Sequence, residues 1–404
     1  MGRPLFAIFI ILTAASLGSA TIQQCGSVTL SVTSAGTLPY AMSHTAAVYN
    51  NYNSIYLFGG LRSGTTQMNQ IYKYSMSTQA VTQVGTLGST RYGGVVLKDG
   101  VTFPKFIFLG VDGDGSAQDP IFKFDSFNNN ALSEIGLIQT VTENLAAVES
   151  TGSQAFVFGG PNYPWTNITQ MDMRYGNNSV VGDLLIGMAN KGTAVNPTGG
   201  SNITIVGAAV TDTQLDSRVL SFHPSAYTSD FLATIQDLPD LDHHTSAYDY
   251  DNNVLWIIGG YNGEAGQPIN GIYQIDMATL AVQFYPVANF PSIGNNWLAA
   301  SSAIYAQGRY RIYFFGGLMR DSSIPADPGT QKNNIWYIDL TPAYCCGKGT
   351  GLFPHPNDCT KFLSCANSIT SILQCPAPLY FDPVLRICNF LNLVSCALSN
   401  LLQF

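Results

Sequence analysis

The hydrophobic pattern of this chain is a series of short apolar runs, each closed by glycine. The runs SIYLFGG, KFIFLG, QAFVFGG, NITIVG, VLWIIGG and RIYFFGG end at Gly60, Gly110, Gly160, Gly207, Gly260 and Gly317, at intervals of 50, 50, 47, 53 and 57 residues. Roughly ten to sixteen residues after each glycine begins a second short run: NQIYKYS, DPIFKFD, ITQMDM, SRVLSFH, NGIYQID and NNIWYID. Further strand patterns precede the glycines, among them HTAAVYN, GGVVLKD, LAAVES and HTSAYDY. Short β-rich segments punctuated by glycine and asparagine, without a sustained 3.6-residue period, predict an all-β fold. A repeated sheet with two apolar faces buries both only by stacking on its neighbours.

The sixfold pattern resembles the kelch family over residues 27–340, through the double glycine and the tyrosine-containing third strand. That resemblance implies a six-bladed β-propeller over residues 25–342. The repeats ending at Gly110 and Gly207 keep a single glycine, and the tryptophan common near the end of a kelch repeat has no regular counterpart. The sixth repeat runs from NNIWYIDL directly into cysteines, whereas SVTLSVT near the amino end is unclaimed. Residues 27–33 are therefore expected to supply the last blade's outer strand by antiparallel pairing. Cys25 would then lie near Cys345 or Cys346, and a bond there would lock a very long loop, worth on the order of 2–5 kcal/mol.

Cysteine is absent between residues 26 and 344 and then crowded. With one of Cys345 and Cys346 assigned to Cys25, the other joins Cys359, Cys365, Cys375, Cys388 and Cys396 in a six-cysteine tail. About fifty residues bury too little apolar surface to be secure alone, so three bridges are expected; spacing alone permits fifteen pairings. The sequence GLFPHPNDCTKFLSC, then CPAPLYFDPVLRIC and Cys396, resembles a peritrophin-A-type chitin-binding domain over residues 345–396. Gly351, Phe353, Asp358, Phe362, Pro376, Leu379, Phe381, Asp382 and Pro383 carry the likeness beside the cysteines. The resemblance implies pairing of Cys346 (or Cys345) with Cys365, Cys359 with Cys396, and Cys375 with Cys388. It also implies binding of chitin, an N-acetylglucosamine polymer whose flat sugar faces suit exposed rings with polar groups at the rim. Phe362, Tyr380 and Phe381 are the aromatic candidates, and Asp358, Asn367 and Asn389 the polar ones. Phe353 and Phe381 equally suit a minimal core, and Asp358 equally suits a turn cap. Leu363 and Pro378 depart from the family, which commonly has an aromatic and a glycine there.

The chain begins MGRPLFAIFIILTAASLGSA, read as a signal peptide over residues 1–20, so the mature protein is expected outside the cell, where disulfides persist. No later segment has eighteen uninterrupted apolar residues, so no membrane span is expected. Residues 397–404 form a short tail. Charged residues make up only 10% of the chain, with 17 Lys plus Arg against 25 Asp plus Glu. No basic run can neutralise a phosphate backbone, which excludes nucleic acid as a partner. An amide- and hydroxyl-rich surface fits neutral glycans. Sequons at Asn167, Asn177 and Asn202 predict glycosylation.

Little points to catalysis or a cofactor. Some kelch-like propellers resemble galactose oxidase, whose copper site needs a cysteine-crosslinked tyrosine; the cysteine-free stretch excludes it. His44 and His244 sit sixteen residues before the second glycine of their repeats, an equivalence that favours a structural role over a metal site. His223 and His243 have no companions. The loop VDGDGSAQD offers Asp112, Asp114, Ser116 and Asp119 as oxygen ligands for calcium, without a bidentate Glu. No serine nucleophile elbow or phosphate loop appears. Tyr163, Trp165, Tyr261 and Arg320 are candidate contacts on the face opposite the tail. The expected function is a secreted, non-enzymatic chitin-binding protein whose propeller presents a face to another matrix component or glycan. The alternative is a secreted carbohydrate-active enzyme with a catalytic propeller targeted by its tail.

Overall fold

The computed structural model describes residues 28–394, apart from 101–103, 112–117, 140–144, 151–152, 160–165, 188–192, 198–200, 209–216, 236–237, 240, 243, 263–264, 292–295, 300, 325–326 and 347. Residues 1–20, expected to be a signal peptide, the tail at 397–404, Cys25 and Cys396 lie outside the described residues.

The described residues are all-β apart from two single-turn 3₁₀ helices at Thr341–Ala343 and Leu391–Leu393. Each glycine-ended run is a strand in an antiparallel ladder. Ser54–Phe58 and Val254–Ile258 are buried at every position. A strand covered on both faces has no reason to alternate, which is why these runs read as continuous apolar stretches.

The kelch-type six-bladed β-propeller expected from the sequence is corrected by the hydrogen bonding. Among the described residues, six separate four-stranded blades are not formed, and only two stand-alone four-stranded sheets occur in the repeats, built from strands between residues 146 and 183 and between 193 and 234. The other repeats merge into a nine-stranded sheet and an eight-stranded sheet. The physical cause in the first is one uninterrupted strand, Val81–Asp99, whose first half pairs with Thr66–Ser75 and whose second half pairs with Lys105–Val111. In the second, Leu30–Thr37 pairs antiparallel with Asn334–Asp339 and parallel with Val282–Ala288, joining the fifth repeat to the sixth. Among the described residues the closing strand covers Leu30–Thr37, so it runs further toward the carboxyl side than the expected 27–33. The terminal strands of the eight-stranded sheet, Thr245–Asp249 and Ser302–Ala306, pack side by side, so this sheet nearly closes on itself.

Packing between repeats follows from the two apolar faces. Six hydrophobic clusters are each shared by two repeats. Tyr56, Phe58, Phe106, Phe108 and Phe124 fill the one between the first and second, with Phe58 and Phe108 stacked at 5.5 Å. Tyr49, Leu57, Tyr74, Tyr313, Phe315 and Ile335 join the last repeat to the first. The glycine pair is the docking point: Gly59 and Gly60 have φ of 56° and 110°, and the Gly60 amide donates to the Arg91 carbonyl at 2.8 Å. A Cβ on Gly59 would come within 2.3 Å of that carbonyl oxygen, so no other residue fits.

The tail forms a three-stranded sheet, Gly351–Pro354, Lys361–Ala366 and Ile369–Gln374, and a hairpin of Tyr380–Asp382 with Ile387–Asn389. It is docked on the repeats. Asn357 Nδ2 donates to the Arg309 carbonyl at 2.7 Å, and Tyr344 lies between Tyr310 and Phe353, with ring centroids 5.2 and 5.6 Å away.

Candidate functional site: the disulfide-bonded tail

Alternation along Lys361–Ala366 sorts its side chains. Leu363 and Cys365 point into the tail's small core, whereas Phe362 faces the other side. There Phe362 stacks on Phe381, with centroids 5.0 Å apart and planes within 14°. Phe381 is 3% exposed and serves as the buried base; Phe362 is half-buried above it. Leu363 is fully buried, so an aromatic ring there would add core volume rather than an exposed stacking face.

The hairpin places Tyr380 directly opposite Asn389, and both are half-buried. Asn389 Oδ1 accepts the Phe390 amide at 2.9 Å. Phe390 itself is 57% exposed, the most exposed aromatic ring among the described residues of the tail, and sequence reasoning missed it. Only its position just past the hairpin, flanked by exposed Leu391, distinguishes it from a core phenylalanine.

Asp358 caps a turn: its Oδ1 accepts the Thr360 amide at 3.0 Å and the Thr360 hydroxyl at 2.6 Å, and Lys361 Nζ lies 2.9 Å from Oδ2. Partial burial pushes its carboxyl up, but Thr360 and Lys361 outweigh that and hold it below the ordinary carboxylate range. Its oxygens are committed locally, which favours the turn-capping reading. Asn367 is exposed at positive φ in the turn between two strands.

Cys345 is bonded to Cys365 and Cys375 to Cys388. Cys346 and Cys359 are also disulfide-bonded. Of the two cysteines expected as alternatives for Cys365, Cys345 is the partner. Pairings with Cys25 and Cys396 involve cysteines outside the described residues.

Residues 345–396 match the chitin binding Peritrophin-A domain family. A stretch of 57 residues is also 42% identical to an endochitinase of Brugia malayi, covering 14% of this chain and 11% of the relative. The likeness is therefore confined to a small part of either protein. Within the peritrophin-A-type domain, the candidate rings fall into two groups: Phe362 on its Phe381 base, and Tyr380 beside Asn389 and the exposed Phe390.

The repeats bring other residues together. Their inner strands, those that precede the glycine-ended runs, line a cavity of about 230 Å³, bordered by small and hydroxyl-bearing residues such as Thr45, Ala146, Thr193, Ser246 and Ser302. His244 borders this cavity; His44 Nδ1 lies 2.9 Å from Ser43 Oγ. His223 pairs with Asp230 at 2.9 Å, and His243 lies outside the described residues. No cluster of metal-ligating side chains occurs among the described residues. Asp119 of the expected calcium loop enters strand Gln118–Asp125 and pairs with Arg91 at 2.5 Å, both side chains nearly fully buried. Its carboxylate is thereby taken by a cation; Asp112, Asp114 and Ser116 lie outside the described residues.

Tyr261 and Arg320 meet around Trp297, the ring of Tyr261 at 5.4 Å and the guanidinium at 5.5 Å, while Tyr163 and Trp165 lie outside the described residues. The turns following the inner strands hold a polar network that the sequence did not announce. Glu149 Oε1 accepts the Lys98 amide at 2.6 Å, and Lys98 Nζ donates to Asn51 at 3.1 Å. The Tyr250 hydroxyl lies 3.4 Å from Glu149 Oε2, and that carboxylate pushes the phenol well above its ordinary value. Of the sequons, Asn177 is exposed in a turn, whereas Asn167 and Asn202 are half-buried at strand margins.

Proposed function

We propose that this protein is a secreted, non-enzymatic chitin binder. Its peritrophin-A-type domain holds N-acetylglucosamine polymer, and its repeat region presents a surface to another matrix component or glycan. The observation that carries the reading is the family match over residues 345–396, on a domain whose bridges and hairpin hold aromatic rings beside amide groups. Phe362 and Tyr380 supply apolar faces for sugar stacking, and Asn389 supplies the polar rim. Phe390 joins them as a contact. Disulfide bonding among the described cysteines suits an oxidising, extracellular setting.

The test is retention of the oxidised full chain on chitin beads, beside assay of the same preparation for release of soluble sugar from chitin. The reading expects retention without turnover. Passage through the beads unretained refutes binding, and sugar release refutes the non-enzymatic part.

A further inference from the structure

The outer strands of the second and third repeats, Ala131–Gln139 and Asn178–Asp183, each stand at the edge of their sheet, and a groove of about 350 Å³ runs between them. The two backbones meet beside it. A Cβ on Gly136 would come within 3.0 Å of the Gly176 carbonyl oxygen, and Asn178 Nδ2 donates to the Leu137 carbonyl at 2.7 Å and to the Gly176 carbonyl at 2.8 Å. The volume falls within the roughly 300–1,000 Å³ of sites that hold small organic molecules.

No lining residue is charged. Thr169 and Ile138 are buried, whereas Gln118, Leu137, Gln139, Asn177, Ser179 and Val180 line the groove and are exposed. Gln118 stands opposite Gln139 in the ladder, and Leu137 precedes Gln139 by two residues, so these three share one face of the second repeat. Val180 shares a face of the third repeat with its partner Thr169. Leu137 and Val180, 46% and 47% exposed, thus offer one apolar side chain from each wall. Apolar walls with a few neutral amides suit a sugar, whose ring has an apolar face and a polar edge.

Asn177 opens the sequon Asn177-Asn178-Ser179, and both its asparagine and its serine are exposed. The other two sequons are less open: Asn167 and Asn202 are half-buried, and their hydroxyl residues Thr169 and Thr204 are buried. Because Asn177 is itself a lining residue, a sugar bonded to its Nδ2 starts at the groove.

We propose that Asn177 carries an N-linked glycan whose first N-acetylglucosamine occupies this groove, with its ring over Leu137 and Val180 and its polar edge toward the Gln118 and Gln139 amides. Attachment forms the bond from Asn177 Nδ2 to C1 of the sugar and breaks the C1–O bond to the diphosphate of a lipid-linked oligosaccharide. The amide nitrogen gives up one proton, and the lipid diphosphate leaves. The glycan thereby covers the seam between two repeats. Access to such a donor rests on the secreted reading above; the docking rests on the groove.

The full-length protein is collected from the medium of a eukaryotic secretory host, and its glycopeptides are mapped by mass spectrometry. Its melting temperature is compared with that of protein trimmed by an endoglycosidase to one N-acetylglucosamine, and with that of Asn177→Gln. Asn177 should be occupied, the trimmed protein should melt like the intact one, and Asn177→Gln should melt about 2–4 °C lower. In a background of Leu137→Ser with Val180→Ser, Asn177→Gln should cost less than about 1 °C. A loss on trimming equal to that in Asn177→Gln, or no loss in either, overturns the proposal. Tyr175 is exposed two residues before Asn177. If the loss in Asn177→Gln vanishes in Tyr175→Ala and persists in the double-serine background, the sugar rests on that ring, which also overturns the groove. Protein that never reaches the medium refutes the secreted reading and the proposal with it, whereas secreted protein with Asn177 bare overturns the proposal alone. Retention of Asn177→Gln on chitin beads should equal that of the wild type, so failure of the tail as a chitin binder is read separately.

Discussion

Tyr344→Ala tests how firmly the tail is held on the repeats. The Tyr344 ring stands between Tyr310 on the repeat side and Phe353 in the tail, at 5.2 and 5.6 Å, and carries the Lys348 ammonium at 3.8 Å. Aromatic pairs of this kind contribute about 0.5–1.5 kcal/mol each beyond burial, and a partly desolvated cation–π contact about 0.5–2 kcal/mol. Truncation to alanine should therefore destabilise docking by about 2–4 kcal/mol, while the disulfides keep the tail folded. Raising the undocked population by that amount speeds hydrogen exchange of amides protected only by docking by roughly 30- to 1,000-fold. The amides of His355 and Asp358 are the reporters, because the adjoining Asn357 makes the other direct tie, to the Arg309 carbonyl. Tyr344→Phe keeps the ring and should exchange like the wild type. If Tyr344→Ala leaves these amides within about threefold of the wild type, the aromatic sandwich does not hold the tail and the reasoning fails.

Three further outcomes are expected. Arg91→Met takes the cation from the deeply buried Asp119 carboxylate, costing about 3–5 kcal/mol in urea unfolding; adding Asp119→Leu should restore most of it. His355 accepts the Asn357 amide at Nδ1, and burial holds its pKa below the usual 6.5. A base with a depressed folded pKa gives stability that is present above 6.5 and lost as pH falls through the lower folded value, so tail melting should drop on acidification and flatten in His355→Gln. Cys345 is taken by Cys365, while Cys346 packs in the same apolar cluster as Val28, three residues beyond Cys25. Peptide mapping without reduction should therefore join Cys25 to Cys346, and a link from Cys25 to any other cysteine would sink this assignment.

What could be read from the sequence was local. The glycine pairs were legible because positive φ at Gly59, Gly60, Gly316 and Gly317 admits little else, and the apolar runs before them were legible as strands buried on both faces. The merging of repeats was not. Whether Val81–Asp99 breaks into two strands or runs through depends on the strands Thr66–Ser75 and Lys105–Val111 that flank it, and its polar and glycine-rich centre reads as a turn. Asp119 misled for a similar reason: a run of acidic residues and glycine looks like a cation loop, and nothing nearby reveals an arginine 28 residues earlier. In the tail, alternation sent Leu363 inward and Phe362 outward, but which ring becomes the base and which the platform was set by the approach of the Phe381 hairpin.

The two parts of the chain are stabilised by different means, and reduction should separate them. The repeats share six apolar clusters rich in buried Phe, Tyr, Ile and Leu, and no disulfide links two described residues within them. The tail buries few apolar side chains besides its cysteines, chiefly Leu363 and Phe381. Its bridges span 20 and 13 residues, and loops of that length restrict the unfolded chain by about 3 kcal/mol each. Two such terms exceed what two buried side chains contribute at about 1.5–3 kcal/mol apiece once ordering entropy is counted. Dithiothreitol should therefore abolish retention on chitin beads while the near-ultraviolet signal of the repeat aromatics and their cooperative melting persist. Were the repeats to unfold with the tail, the seam between first and last strands would depend on a covalent tie rather than on the packing of Tyr74, Tyr313 and Phe315. Were the reduced protein still to hold chitin, the rings would not need the bridges to position them.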